Sequence, residues 1–132
     1  IKEIINSKIK RRESFRPFAP SILSEKTQEW FQIENEVPFM SAVHLIKEDK
    51  LKLLPGITHV DGTGRLQTVK KSNNLKYYNL INSFYELTGV PIILNTSFNE
   101  NEPIVNTPQE AISCFQRTDM DLLVIGNYVI SR

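Results

Sequence analysis

Apolar residues recur along the chain in a pattern that predicts short strands alternating with helices. Short apolar runs bounded by glycine, proline or polar residues are typical of strands, whereas apolar residues one helical turn apart are typical of helices. The predicted strands are Ser21–Leu23, Phe39–Ile46, Ile57–Val60, Arg65–Val69, Val90–Leu94, Leu122–Ile125 and Tyr128–Ile130. The predicted helices are Ile1–Ile9, Ser24–Phe31 with Ser24 as its N-cap, Leu75–Leu87, and one that begins after Thr107. Elements in this order predict an α/β or α+β sheet packed by helices.

Two of these helices carry clear boundary signals. Gly89 follows Leu75–Leu87 and suits the left-handed residue that ends many helices. Thr107, Pro108 and Glu110 form a capping box with proline in the first turn. The side chains predicted to face the core are Leu80, Ile81, Phe84 and Leu87 on the first helix, with Tyr77, Tyr78 and Tyr85 packing beside them, and Ala111, Ile112 and Phe115 on the second.

Glycine-containing turns separate the strand predictions in two places. Asp61-Gly62-Thr63-Gly64 lies between Ile57–Val60 and Arg65–Val69 and predicts a hairpin or a bend. The same glycines would let the backbone approach a ligand closely. Gly126-Asn127 predicts a second hairpin at the C-terminal end.

Composition excludes several classes of protein. The chain has 132 residues, 40% hydrophobic and 23% charged, which suits one soluble domain and argues against disorder. No apolar run approaches the ~20 residues of a membrane helix, and no signal peptide is recognisable. A net charge of +1 gives no general attraction to nucleic acid. A single cysteine, Cys114, is expected to be a packed thiol and fits a reducing, cytoplasmic compartment.

Basic residues concentrate near the N-terminal end of this nearly neutral chain. This run is a candidate anion site, with Lys10 and Arg16 as its leading members, because lysine and arginine suit phosphate by charge and by donor geometry. The basic residues of the run are Lys2, Lys8, Lys10, Arg11, Arg12 and Arg16. Phe15 and Phe18 are core-like, so Arg16 is predicted to lie where the chain becomes buried. The alternatives are a solvated basic face and a tail that contacts nucleic acid.

Two further segments offer the same chemistry. Arg65 follows the predicted glycine turn, where it would project beside a ligand. Asn95, Ser97 and Asn99 follow the predicted strand Val90–Leu94, and a strand that runs into small polar side chains is where α/β folds present ligand-binding groups. A loop that caps its own backbone remains the alternative.

These residues predict binding and charge stabilisation of a phosphorylated reactant rather than covalent catalysis. The chain has no Walker A motif, no GxGxxG motif and no nucleophile with an adjoining base. His44 has no ligand-type partner nearby in sequence, and His59 with Asp61 offers a charge pair only. No metal site is therefore predicted.

Motifs along most of the chain resemble those of a known family. KRRESFRPFAPSIL, HVDGTGRLQTV, GVPIILNTSFN, EPIVNTPQEAISCF and LLVIGN match, in this order, the C-terminal domain of the O-carbamoyltransferases that modify nodulation factors, cephamycins and tobramycin. The resemblance implies a YrdC-like twisted mixed sheet packed by helices in a single domain. It also implies that this domain binds carbamoyl phosphate and ATP, with Mg²⁺ accompanying the nucleotide, and forms carbamoyl adenylate.

The resemblance assigns roles to residues of this chain. Lys10 and Arg16 fall on the family's phosphate-binding K…RPFAP pair and Arg65 on the arginine after HVDGT, so these three are the implied catalytic groups. Asn95 and Ser97 fall on the NTSFN loop and would orient the nucleotide or carbamoyl phosphate. The binding set is completed by Arg12 and Asn99 as candidates of second rank.

The implied partner is a larger N-terminal domain that holds the family's metal ion and passes the carbamoyl group to a hydroxyl. That domain and the GPRALG-type segment are not in this sequence, and Ile1 begins within a predicted helix, so we interpret the chain as a fragment that does not complete the transfer alone. Asn99–Pro103 is one residue shorter than the family pattern and lacks its glycine. A YrdC-like RNA- or tRNA-binding module and a structural domain with a decayed site are the alternative functions.

Overall fold

A computed structural model describes residues 2–11, 13 and 15–132, and the chain divides into two compact units. One unit consists of Ile1–Arg16 with Ser97–Arg132, and the other of Pro17–Thr96. The described strands are β1 (Ala19–Leu23), β2 (His44–Leu45), β3 (Thr63–Gly64), β4 (Gln67–Val69), β5 (Ile92–Asn95), β6 (Leu122–Ile125) and β7 (Tyr128–Ser131). The α-helices are α1 (Lys2–Ile4), α2 (Thr27–Trp30), α3 (Leu75–Thr88) and α4 (Pro108–Arg117), with a π-helical turn over Ile5–Ile9 and 3₁₀ turns over Ser24–Lys26 and Glu48–Leu53. The prediction of a mixed α/β fold is confirmed.

The unit Pro17–Thr96 is built on a three-stranded mixed sheet. Strand β1 lies at its centre, parallel to β4 and antiparallel to β5. One face covers a core in which Ile22, Phe31 and Leu66 are almost completely buried. Ile81 of α3 packs with Leu23 in a second hydrophobic cluster of this unit. The sheet therefore holds the ends of β4 and β5 in fixed register with β1.

Helix α3 forms where predicted but buries a different face. Its ends are fixed by Asn74, whose side chain accepts from the Tyr77 amide, and by Gly89 at φ +73°. Of the predicted stripe only Ile81 is buried, and the stripe is wrong for Leu80, Phe84 and Leu87, which are exposed. Tyrosines pack beside Ile81 instead, as expected of them, because their rings bury apolar surface while their hydroxyls reach polar partners.

Several strand predictions in this unit are wrong in extent. Of Phe39–Ile46 only β2 is strand, and Met40 at φ +54° is incompatible with extended backbone. Ile57–Val60 is not a strand, and β3 pairs with β2 rather than closing a hairpin onto 65–69. Ser24 does not cap a helix through its side chain, because its hydroxyl donates to Glu36.

The unit formed by Ile1–Arg16 and Ser97–Arg132 contains α4 and the C-terminal hairpin, both as predicted. The Thr107 hydroxyl accepts from the Glu110 amide in a complete capping box, and β6 pairs antiparallel with β7. Ala111 and Phe115 are buried as predicted, whereas Ile112 is 38% exposed. No helix in the described part of the chain combines the length and apolar character needed to cross a membrane.

Candidate functional site

Lys10 is buried against the loop that follows β5. Its side chain is only 3% exposed, and Nζ donates to the Ser97 carbonyl at 2.5 Å and to the Asn99 carbonyl at 2.8 Å. Nζ also donates to Asn99 Oδ1 at 2.9 Å and lies 3.3 Å from Ser97 Oγ. The Ser97 hydroxyl in turn donates to Asn99 Oδ1 at 2.6 Å. The structure thus brings together Lys10, Ser97 and Asn99, which the sequence placed in two separate motifs.

The π-helical turn before Lys10 fixes the position of its backbone. The Lys10 amide donates to the Ile5 carbonyl at 2.9 Å, and Asn6, which is fully buried, donates from Nδ2 to the Arg16 carbonyl at 2.9 Å. Asn6 therefore holds the main chain of Arg16 in place, since a buried amide satisfied by a backbone carbonyl resists displacement. Asn6 was not predicted as a site residue, and the signal for it in the sequence is its position about one helical turn before Lys10.

Arg16 itself presents its side chain to solvent. The residue is exposed, and its guanidinium makes no hydrogen bond or ion pair within residues 2–11, 13 and 15–132. Phe15 is 76% exposed, so the prediction that it is core-like is wrong, whereas Phe18 is buried as predicted. The chain becomes buried only after Arg16, which leaves this arginine at the boundary with solvent.

Charged side chains close the stretch that departs from the expected loop pattern. Glu100 Oε1 lies 2.9 Å from Arg11 Nε, and Glu100 Oε2 lies 3.8 Å from Arg117 Nε. Arg117 Nη2 contacts Glu102 Oε1 at 2.7 Å. Asn99 Nδ2 donates to the Glu102 carbonyl at 2.7 Å. The stretch Asn99–Pro103 is therefore a closed loop held by ion pairs and by a side-chain hydrogen bond.

The surroundings of Glu102 favour its ionised carboxylate, and those of Cys114 favour its neutral thiol. The backbone amide of Glu102 itself is the main cause of a lowered pKa for its carboxyl group. Burial raises the pKa of Cys114, and its hydrogen bond with Glu102 acts in the same direction. A thiol held protonated is a poor nucleophile, in agreement with the packed role predicted for Cys114.

Asn95 belongs to a polar cluster on the sheet of the unit Pro17–Thr96. Its Nδ2 donates to Gln67 Oε1 at 2.7 Å and to Ser21 Oγ at 3.0 Å. Ser21 Oγ donates to Gln67 Oε1 at 3.0 Å and accepts from the Tyr77 hydroxyl at 2.8 Å. Burial raises the pKa of Tyr77, with the bond to Ser21 opposing it. The cluster joins β1, β4, β5 and α3 through neutral groups.

Arg65 is exposed in the same unit, and its guanidinium engages no acceptor in the described part of the chain. The glycine before it serves packing rather than ligand approach, because a Cβ on Gly64 would lie 3.3 Å from Phe31 Cε1. Gly62, at φ +79°, supplies the turn.

The turn before Arg65 also involves His59 and Asp61. The Thr63 hydroxyl donates to Asp61 Oδ1 at 2.7 Å and lies 3.0 Å from His59 Nδ1, so it links the two side chains predicted as a charge pair. Hydrogen bonds from Thr63 lower the pKa of Asp61.

The predicted site residues thus divide between the units. Lys10, Arg16, Ser97 and Asn99 lie in one unit, and Arg65 and Asn95 lie in the other. Arg12 lies outside the described residues. Within the described ranges, no group of three histidine, cysteine, aspartate or glutamate side chains has the arrangement of a metal site.

Comparison with known proteins identifies the family. Residues 1–132 match the family described as Carbamoyltransferase C-terminus, and the chain belongs to that family. It is 50% identical to nodulation protein NolNO of Sinorhizobium fredii, over 99% of this chain and 20% of that protein. It is 47% identical to nodulation protein NolO of Bradyrhizobium diazoefficiens, over 99% of this chain and 25% of that protein.

A relative with a named activity belongs to the same set. The chain is 32% identical to the 3'-hydroxymethylcephem-O-carbamoyltransferase of Amycolatopsis lactamdurans, over 92% of this chain and 23% of that protein. The chain spans about a quarter or less of the length of these relatives. The family resemblance read from the motifs is confirmed by the match to the Carbamoyltransferase C-terminus family.

Proposed function

We propose that this chain binds carbamoyl phosphate and ATP and forms carbamoyl adenylate, and that the carbamoyl group then passes to a substrate hydroxyl in an N-terminal domain. The observation that carries the proposal is the meeting of Lys10 with Ser97 and Asn99. These residues are far apart in sequence and join through charge-assisted hydrogen bonds. Membership of the carbamoyltransferase family supplies the carbamoyl chemistry.

The arginines are the proposed first contacts of phosphate. Arg16 and Arg65 are exposed and have no acceptor within the described residues, so a phosphate oxygen meets them without displacing an existing ion pair. Lys10 differs, because the acceptors around Nζ already match the donors of an ammonium group. A phosphate oxygen reaches Nζ only by replacing one of these acceptors. The first role of Lys10 is therefore to hold Ser97 and Asn99 in position.

The amide and hydroxyl groups have the proposed role of orienting the reactants. Ser97 and Asn99 accept from Lys10 and are held in one arrangement by it. Asn95 is held by Gln67 and Ser21 in the polar cluster of its own unit. Directional hydrogen bonds from such fixed groups select one pose of a polar reactant. Arg12 keeps its second-rank role as a phosphate ligand.

The proposed reaction consumes water and releases pyrophosphate from ATP and inorganic phosphate from carbamoyl phosphate. Guanidinium groups stabilise the negative charge that develops on the phosphoryl oxygens. Mg²⁺ would accompany the phosphates of ATP, and we assign it no protein ligand in this chain. A cytoplasmic location is proposed with this activity, since the reaction draws on ATP.

Calorimetric titration of carbamoyl phosphate and of ATP tests the proposal, using the chain joined to the N-terminal domain. Arg65→Ala removes one charge-assisted contact and should weaken binding by roughly 1.5–3 kcal/mol. Lys71→Ala is the matched control, since Lys71 is exposed and engages no acceptor in the described part of the chain. No heat of binding from the wild-type protein, or equal affinities for both variants, would contradict the assignment.

A further inference from the structure

Four charged side chains form an alternating array beside Lys10. Arg11, Glu100, Arg117 and Glu102 follow one another in space, joined by contacts of 2.9, 3.8 and 2.7 Å. The Glu100 side chain is 10% exposed, whereas those of Arg11 and Arg117 are 60% and 47% exposed. Glu100 is therefore the buried centre of the array, where water screens its ion pairs least.

The array repeats the contact of Lys10 one residue further along both segments. Lys10 donates to Asn99, and the next residue of each segment forms the ion pair between Arg11 and Glu100. Consecutive residues of one segment thus bind consecutive residues of the other. The ion pair fixes the register in which Lys10 meets the loop.

The backbone at Arg11 indicates that this register is held against local preference. Arg11 adopts φ +45°, a left-handed conformation that residues with a Cβ atom adopt at a free-energy cost. Such a conformation persists where surrounding contacts determine it. Within the described part of the chain, the Arg11 side chain makes the ion pair to Glu100 and donates from Nη2 to the Arg117 carbonyl at 3.4 Å.

Helix α4 anchors the other end of the array. Arg117 is the last residue of α4, and its Nη1 donates to Ser113 Oγ one turn earlier at 2.5 Å. The helix therefore holds the guanidinium that contacts Glu100 and Glu102.

The loop that contains Glu100 and Glu102 is also closed by the Val105 amide, which donates to the Phe98 carbonyl at 3.0 Å.

We propose that Glu100 is a positioning residue, which sets the geometry of Lys10, Ser97 and Asn99 for phosphate by pairing with Arg11 and Arg117. Glu100 touches no reactant in this role. The inference rests on the proposed function for its ligand, carbamoyl phosphate. The proposal also assigns a structural role to the stretch Glu100–Glu102, which supplies both acids of the array.

Glu100→Gln tests the role, because it removes the charge and keeps the shape. In the chain joined to the N-terminal domain, the Kd for carbamoyl phosphate should rise about tenfold, as expected when charge-assisted contacts that shape a site are lost. Arg11→Gln should act through the same contact, so the double variant should bind no more weakly than Glu100→Gln. Glu34→Gln, at an exposed glutamate without a hydrogen bond or ion pair in the described ranges, should bind like wild type.

Hydrogen exchange of the Val105 amide supplies a readout that needs no ligand. Glu100→Gln should speed this exchange while the amides of α4 keep their protection, because the loop loosens and the helix does not. Unchanged exchange at Val105 in Glu100→Gln overturns the positioning role whether or not wild type binds carbamoyl phosphate. Strictly additive losses in Glu100→Gln and Arg11→Gln overturn the shared route. If wild type fails to bind while Val105 exchange responds, the proposed function fails and the loop-setting role stands.

Discussion

The contacts of Lys10 and those of Asn95 differ in their chemistry, although Asn95 ends β5 and the Lys10 partners Ser97 and Asn99 follow it within four residues. Lys10 donates a formal charge to carbonyl and amide oxygens, and ion pairs surround its segment. Among the described residues, the Asn95 side chain donates hydrogen bonds to neutral groups alone, on Ser21 and Gln67. The first network depends on loops and on the end of a helix, whereas the second is held by adjacent strands.

The difference shows that residues of the short motif Asn95–Asn99 are positioned in two different ways. Asn95 ends a strand and takes its position from the sheet, so its geometry is set by backbone register. Ser97 and Asn99 have no such register and take their position from a buried ammonium group. Substitutions in the two networks should therefore reduce folding stability by different amounts, and these losses should depend differently on pH.

The largest effect is expected from Lys10→Met, which keeps the length of the side chain and removes the ammonium group. The carbonyls of Ser97 and Asn99 then lose their buried donor, and unfolding should become easier by about 3 kcal/mol. Urea denaturation followed by fluorescence measures the change. Lys71→Met, at an exposed lysine, is the control and should leave the midpoint unchanged. A Lys10→Met variant as stable as that control would mean that the charged network does not order the loop.

A smaller effect is expected from Asn95→Leu, which removes both donations from Nδ2. Gln67 and Ser21 still bond each other, so the cluster is weakened rather than emptied, and we expect a loss of about 1–2 kcal/mol. The same urea experiment measures it, with Asn79→Leu on the exposed face of α3 as control. A loss as large as that of Lys10→Met would remove the distinction between the networks.

The smallest effect is expected from Tyr77→Phe, which removes one hydroxyl from the neutral cluster at a cost of about 1 kcal/mol. Burial raises the pKa of Tyr77 above 10.0, so folding favours the neutral phenol. That contribution is fully present below pH 10.0 and is lost as pH rises through the raised pKa. The stability difference between wild type and Tyr77→Phe should therefore narrow in alkaline solution. Thermal unfolding at neutral and alkaline pH measures it, and a difference that widens would contradict the neutral character of the cluster.

Residues that follow local rules were predictable from the sequence. The capping box of Thr107 and Glu110, the left-handed Gly89 and the C-terminal hairpin depend on neighbours in sequence and appear where predicted. The prediction that Leu80 and Phe84 are buried was wrong, because apolar spacing identifies one face of a helix but not whether another element covers that face. Tyrosines took the buried side, since Tyr77 also finds Ser21 there.

The site was predictable in its members and not in their contacts. Lys10 was predicted from one motif and Ser97 and Asn99 from another, but their direct hydrogen bonding depends on a fold that joins these distant segments. Asn6 and Glu100 were not recognised, because an amide and an exposed-looking acid carry no signal until their partners are known.

Gly64 illustrates how a mutational screen of this family should be interpreted. The residue stands in the motif that supplies Arg65, yet its missing side chain makes room for Phe31 and Ile46. A survey that scores only activity would not distinguish a packing defect in Gly64→Ala from the loss of a contact made by Arg65. Measuring the steady-state amount of each variant protein alongside its turnover would separate a packing defect at Gly64 from a lost ligand contact at Arg65.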